Sequence, residues 1–121
     1  MNTSILLLST KPAETQMLVD VLTAAQFGYT CQPVQSFEDS MNLLKTKSFD
    51  IFLVDKEYPE EGLYRKLKKI KVKCPSLRIL LLADEVSPKE LMMAQEHFIE
   101  GFCPLRDDYT TLINTIEGVI S

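Results

Sequence analysis

Three short aliphatic runs punctuate the chain: Ile5 to Leu8 (ILLL), Asp50 to Val54 (DIFLV) and Arg78 to Leu82 (RILLL). None alternates between apolar and polar positions, so neither face can be given to water. That is the pattern of strands covered on both sides, as in a parallel sheet. Tyr29 to Val34 (YTCQPV) is a weaker run. Its Pro33 cannot donate to a ladder, which predicts an edge strand. Glu100 to Pro104 (EGFCP) is a short fifth candidate.

Between the runs the apolar positions change to helical spacing. Leu18, Val21, Leu22 and Ala25 make one face, Phe37, Met41 and Leu44 a second, and Leu63, Leu67 and Ile70 a third. Leu91, Ala94, Gln95 and Phe98 follow the fourth run less cleanly. Leu112, Ile113, Ile116, Val119 and Ile120 form the clearest stripe. Start signals agree. Ser87 with Glu90 fits a capping box and Ser36 with Asp39 approximates one. Pro12 and Pro88 suit first-turn positions, and Gly28 suits the stop of the first helix.

Strand and helix therefore alternate five times in 121 residues. This predicts a single α/β domain over residues 1–121, a three-layer sandwich with right-handed crossovers. The flavodoxin-like strand order 2-1-3-4-5 is the natural expectation. The terminal segment IEGVIS looks like a domain boundary, so the chain can be the N-terminal part of a longer regulator.

Composition narrows the function. The net charge of −4 argues against a general nucleic-acid binder. No run approaches the roughly 18 apolar residues of a membrane span, and the first residues lack the basic start of a signal peptide. Cys31, Cys74 and Cys103 are scattered, with a single histidine, His97, so a zinc site is not expected. Scattered thiols suit a reducing cytoplasm, with each cysteine buried or inert.

In an open parallel sheet the working crevice lies at the carboxyl ends of the strands, where strand order reverses. Asp55 follows the third run directly, in FDIFLVDKEYP. A carboxylate at the edge of a core must be hydrated, paired or neutralised. Three classes of chemistry suit the position. Flavin or phosphate binding needs a glycine-rich loop after the first strand. The loop Ser9 to Thr15 (STKPAET) has no glycine, and Ser9 and Thr10 are better read as caps of the first helix. A small flavodoxin-like enzyme is thus a distant alternative. The second class is aspartyl phosphorylation, in which magnesium and a lysine offset the repulsion between nucleophile and phosphoryl group. The third is binding without chemistry.

At this point the chain resembles the response-regulator receiver domains of two-component signalling, the CheY-like family. The resemblance covers nearly the whole chain. It rests on the five-fold βα order, on FDIFLVD ending at Asp55, on Pro59 and Gly62 in the following loop, on RILLLADE and on EGF. It implies that Asp55 is equivalent to the phospho-acceptor and Phe102 to the switch aromatic. It also implies a signalling face built from helix 4, strand 5 and helix 5.

The departures carry more information. The acidic pair that holds magnesium in the family aligns with Ser9 and Thr10, with Lys11 next. The phosphoryl-contacting hydroxyl aligns with Ala83. The lysine and proline after strand 5 align with Leu105 and Arg106, or, in a register that matches Pro104, the lysine falls on Cys103. The resemblance therefore implies a degenerate pocket at Ser9, Thr10, Ala83 and Leu105. Magnesium binding is expected to be weak or absent, with no enzymatic activity, and Asp55 is expected to pair with Lys11 or Lys56. The expected role is a phosphorylation-independent receiver in bacterial signalling or transcriptional control. It would act on a partner protein or as a homodimer through the helix 4, strand 5 and helix 5 face, without direct contact to nucleic acid or membrane. Phe102 is expected inward, above the small Ala83. The alternative is a true phospho-acceptor with a non-standard metal site, rescued by Glu57 or another loop carboxylate.

Three further features have modest expectations. Arg65 to Lys73 (RKLKKIKVK) holds six basic residues in nine. It reads as the solvated face of a helix, with docking to an acidic partner or nucleic acid as the alternative. Met92 and Met93 lie off the best apolar face, and His97 reads as a surface residue. Glu57, Glu60 and Glu61 cluster beside Asp55 in sequence and read as solvated.

Overall fold

Each aliphatic run is a strand whose two faces enter two different cores. The computed structural model describes residues 3–24, 28–104 and 109–120. The order is β1 (Ser4–Leu8), α1 (Pro12–Thr23), β2 (Thr30–Val34), α2 (Phe37–Thr46), β3 (Ile51–Asp55), α3 (Leu63–Lys73), β4 (Arg78–Leu82), α4 (Pro88–Glu96), β5 (Gly101–Cys103) and α5 (Thr110–Ile120). The strands form one parallel sheet in the order β2-β1-β3-β4-β5. Pro33 lies on the edge strand β2, as expected.

Period-two alternation divides the strand residues between the faces. Ile5, Leu7, Ile51, Leu53, Leu80 and Leu82 meet Leu18 and Leu22 of α1 and Leu112 and Ile116 of α5. Leu6, Leu8, Phe52, Val54, Ile79 and Leu81 meet Phe37 of α2, Leu63, Leu67 and Ile70 of α3, and Ala94 of α4. Each such fully buried aliphatic contributes roughly 1.5–3 kcal/mol relative to exposure. Glu117 on α5 accepts a hydrogen bond from the Tyr29 hydroxyl and so ties α5 to the segment entering β2.

The helix starts follow the sequence signals. Ser36 Oγ accepts from the Asp39 amide at 3.0 Å. Ser87 and Glu90 make a complete capping box. Pro12 and Pro88 occupy first-turn positions.

Three expectations need correction. Gly28 does not stop α1, which ends at Thr23 with Ala24 as a right-handed cap. Gly28 instead takes φ +68° just ahead of β2. Ala25 lies outside the described residues. Ser9 and Thr10 do not cap α1 either. Its N-cap is Lys11, without a side-chain bond, because the Thr10 hydroxyl is drawn to Asp55. Finally, Leu91 and Phe98 do not join the core. They are 51% and 53% exposed. The helix ends at Glu96, and Phe98 takes φ +60°. Its amide donates to the Gln95 carbonyl, and the Ile99 amide to the Ala94 carbonyl at 2.9 Å. This is a Schellman stop with phenylalanine where glycine is usual. The left-handed turn directs the ring outward, and Ile99 fills the core instead.

Candidate functional site

The switch in strand order places the ends of β1, β3 and β4 side by side. Register pairs Leu8 with Val54 and Asp55 with Leu82. The loop that follows β1 and the last residue of β3 therefore open onto a common crevice. A hollow of about 540 Å³ lies there, lined by Thr10, Lys11 and Glu14 from the α1 side, Asp55, Lys56 and Glu57 from the end of β3, and Leu82 to Glu85 from the end of β4.

Asp55 is only 7% exposed. Each of its carboxylate oxygens accepts a hydrogen bond. Oδ2 accepts from Thr10 Oγ1 at 3.0 Å, and Oδ1 accepts from the Glu57 amide at 2.9 Å. The second bond is an Asx-turn, in which a short carboxylate side chain folds back on its own backbone. The Tyr58 amide then closes the turn on the Asp55 carbonyl at 3.0 Å. A hydroxyl and an amide thus offset the burial of the charge.

No lysine, arginine or histidine nitrogen lies within ion-pair distance of Asp55 among the described residues. This corrects the expected pairing. Lys56 turns away from Asp55, to Glu90 Oε2 at 2.9 Å and the Glu85 carbonyl at 2.8 Å. The reason is the capping box. It fixes Glu90 at the start of α4, facing the β3 loop, where its carboxylate outcompetes an aspartate already satisfied twice. The Lys56 ammonium, followed by the Ser87 amide, holds the Glu90 carboxyl down at about 2, and the same bond pushes Lys56 upward. Lys11 lines the hollow and has no ion pair among the described residues.

The other predicted positions are only partly brought together. Ser9 is buried, and its Oγ has no hydrogen-bond partner among the described residues. Ala83 is buried at the wall of the hollow, with its amide bonded to the Cys103 carbonyl at 2.9 Å. Cys103 faces the core on the α1 and α5 side, where burial pushes its thiol up to about 12. Leu105 and Arg106 lie outside the described residues. Phe102 is half-buried and packs against the core on the opposite face, the same side as Leu81.

Of the loop glutamates, Glu57 lines the hollow, while Glu60 pairs with Lys66 on α3. Glu14, Asp84 and Glu85 also line it, and the sequence reading missed them. Glu14 lies early in α1, and Asp84 and Glu85 directly follow Ala83, so all three could have been placed once the crevice was expected. Even so, among the described residues no three Asp, Glu, His or Cys side chains stand close enough to hold a metal ion. Magnesium requires near-octahedral oxygen ligands. At the end of β1 stand only the neutral hydroxyls of Thr10, which donates to Asp55, and of the buried Ser9, and neither brings negative charge to a cation.

No family model matches the chain, and no curated protein matches it in sequence. Solved structures do match. Chemotaxis protein CheY4 of Vibrio cholerae aligns with a TM-score of 0.87 at 19% identity, over 98% of this chain and 99% of that one. The signal receiver domain of an HD domain-containing protein from Pseudomonas fluorescens Pf-5 gives 0.84 at 20% identity, over 99% and 95%. An orphan response regulator of H. pylori gives 0.83 at 18%, over 98% and 97%.

The chain has the receiver-domain fold. The likeness is structural across almost the full length of both partners, while sequence identity is low. In this fold β3 lies between β1 and β4 beside the switch point, and Asp55 is its last residue. Among the described residues, no helix of this receiver fold is long and apolar enough to cross a membrane.

Proposed function

We propose that the chain is an atypical receiver domain that works in two-component-type signalling or transcriptional control without phosphorylation of Asp55. The observation that carries this reading is the state of the carboxylate. Thr10 and the Glu57 amide each donate a hydrogen bond to one of its oxygens, and among the described residues no cation stands within ion-pair distance of it. Phosphoryl transfer needs positive charge at the transferring group. Loss of a single preorganised donor can cost about 100-fold in rate. Ala83 has no hydroxyl to give, and Lys56 is committed to Glu90. The domain is therefore a signalling module and not an enzyme.

The output in this reading is protein contact through α4, β5 and α5, with a partner or a second copy. Leu91 and Met92, the latter 62% exposed, give α4 an apolar outer surface. Phe102, half-buried beside it on β5, is a packed residue in this reading and not a phosphate-driven switch. Sedimentation velocity on the wild type, Asp55→Asn and the double variant Leu91→Glu with Met92→Glu tests this. Self-association that survives Asp55→Asn and is lost in the double variant supports the proposal. Association that appears only after treatment with acetyl phosphate and magnesium would overturn it.

A further inference from the structure

The basic residues of α3 divide according to the direction they face. Lys71 is held by Glu100 and Lys66 by Glu60, while Lys68 lies 5.3 Å from the centre of the Phe98 ring. Lys69 and Lys73 line the α2 side and have no ion pair among the described residues, nor does Lys45 on α2. Two adjoining hollows of about 250 and 220 Å³ lie between the helices and share Met41, Ile70 and Lys73. Leu44 and Cys74 extend the floor of one, and Phe37 that of the other. No carboxylate is among the lining residues of either.

We propose that this α2–α3 groove docks an acidic segment of a partner protein that carries apolar side chains at helical spacing. The surface is separate from the α4, β5 and α5 face, and the inference does not depend on the state of Asp55. Its charge selects the partner. Six of the chain's 13 Lys and Arg fall within nine residues, on a protein of net charge −4. Lys69 and Lys73 are one helical turn apart and Lys45 lines the same hollow as Lys73, so their fields add toward an approaching anion. The floor selects further. A phosphate backbone needs basic side chains but has no use for Met41, Leu44 and Ile70, whereas leucine or phenylalanine side chains fill such hollows. Lys66, which also lines one hollow although paired with Glu60, and Lys73 lie seven positions apart on α3, about 10 Å of helix rise. That length accommodates two turns of a docked helix.

The probe is a fluorescein-labelled peptide of glutamates with leucines at i, i+4 and i+7, read by anisotropy. A serine-for-leucine peptide, a dT oligonucleotide and phosphatidylserine vesicles serve as comparisons. The leucine peptide is expected to bind and to slow alkylation of the half-buried Cys74. The exposed pair Lys69→Glu with Lys73→Glu, checked for folding by circular dichroism, should weaken it about tenfold. Serine substitution in the peptide should weaken it comparably. Absence of binding, or binding unmoved by the charge reversals, would overturn the proposal. So would equal binding of the serine peptide, or tighter binding of the oligonucleotide or the vesicles.

Discussion

The hydroxyl of Thr10 donates to Asp55 Oδ2 at 3.0 Å, joining the end of β1 to the end of β3 across 45 positions of sequence. The bond gives the buried carboxylate a neutral partner in place of a cation. Hydrogen bonds to charged groups outweigh neutral ones, and loss of a donor leaves the acceptor unpaired. Thr10→Val should lower stability by about 1 kcal/mol. In a double-mutant cycle with Asp55→Asn, chemical denaturation should show a clear coupling between the two sites. A coupling near zero would show that the bond contributes nothing.

The Lys56–Glu90 pair sets a pH dependence. Glu90 has its carboxyl lowered from 4.5 to about 2, through the Lys56 hydrogen bond first and the Ser87 amide second. A depressed acid stabilises the fold above its ordinary value and loses that contribution as pH falls toward the folded value. Lys56, raised above 10.5, contributes below that value and loses it as pH rises further. Glu90→Gln keeps the capping geometry and removes the charge. The Tm difference between wild type and Glu90→Gln should be constant through neutral pH and close between 4.5 and about 2. A difference that persists at the acid end would assign the effect to packing.

Phe98 holds a left-handed backbone conformation at the end of α4. Side-chain sterics make that conformation cost roughly 1–2 kcal/mol for a residue other than glycine. Phe98→Gly and Phe98→Ala both remove the ring and its contact with Lys68, and only the first relieves the backbone. The glycine variant should be the more stable by about 1 kcal/mol in thermal or urea unfolding. Equal stabilities would show that the turn relaxes without strain.

The thiols should differ in reactivity. Burial pushes Cys31 up to about 11 and Cys103 up to about 12. Cys74, half-buried at the end of α3, should be the first alkylated by iodoacetamide in the native protein, as read by peptide mapping. Rapid native modification of Cys103 would contradict its place in the core.

The strands were legible because a doubly covered strand must be apolar on both faces, and ILLL, DIFLV and RILLL are. Asp55 was legible because a carboxylate closing such a run has few other reasons to be there. What escaped the sequence were choices made between elements. Whether Thr10 caps α1 or reaches Asp55 depends on the β1–β3 register. Whether Lys56 turns to Asp55 or Glu90 depends on where the α4 capping box sits. Phe98 continued the helical spacing of α4, yet its exposure follows from a left-handed turn that spacing does not reveal.

The central claim is that Asp55 is a satisfied structural carboxylate and not a phosphate acceptor. Intact-protein mass spectrometry after incubation with acetyl phosphate and magnesium tests it most directly, with Asp55→Asn treated in parallel. Wild type and variant should give the same spectrum, without a phosphoryl adduct. A stoichiometric adduct on the wild type, absent from Asp55→Asn, would contradict it.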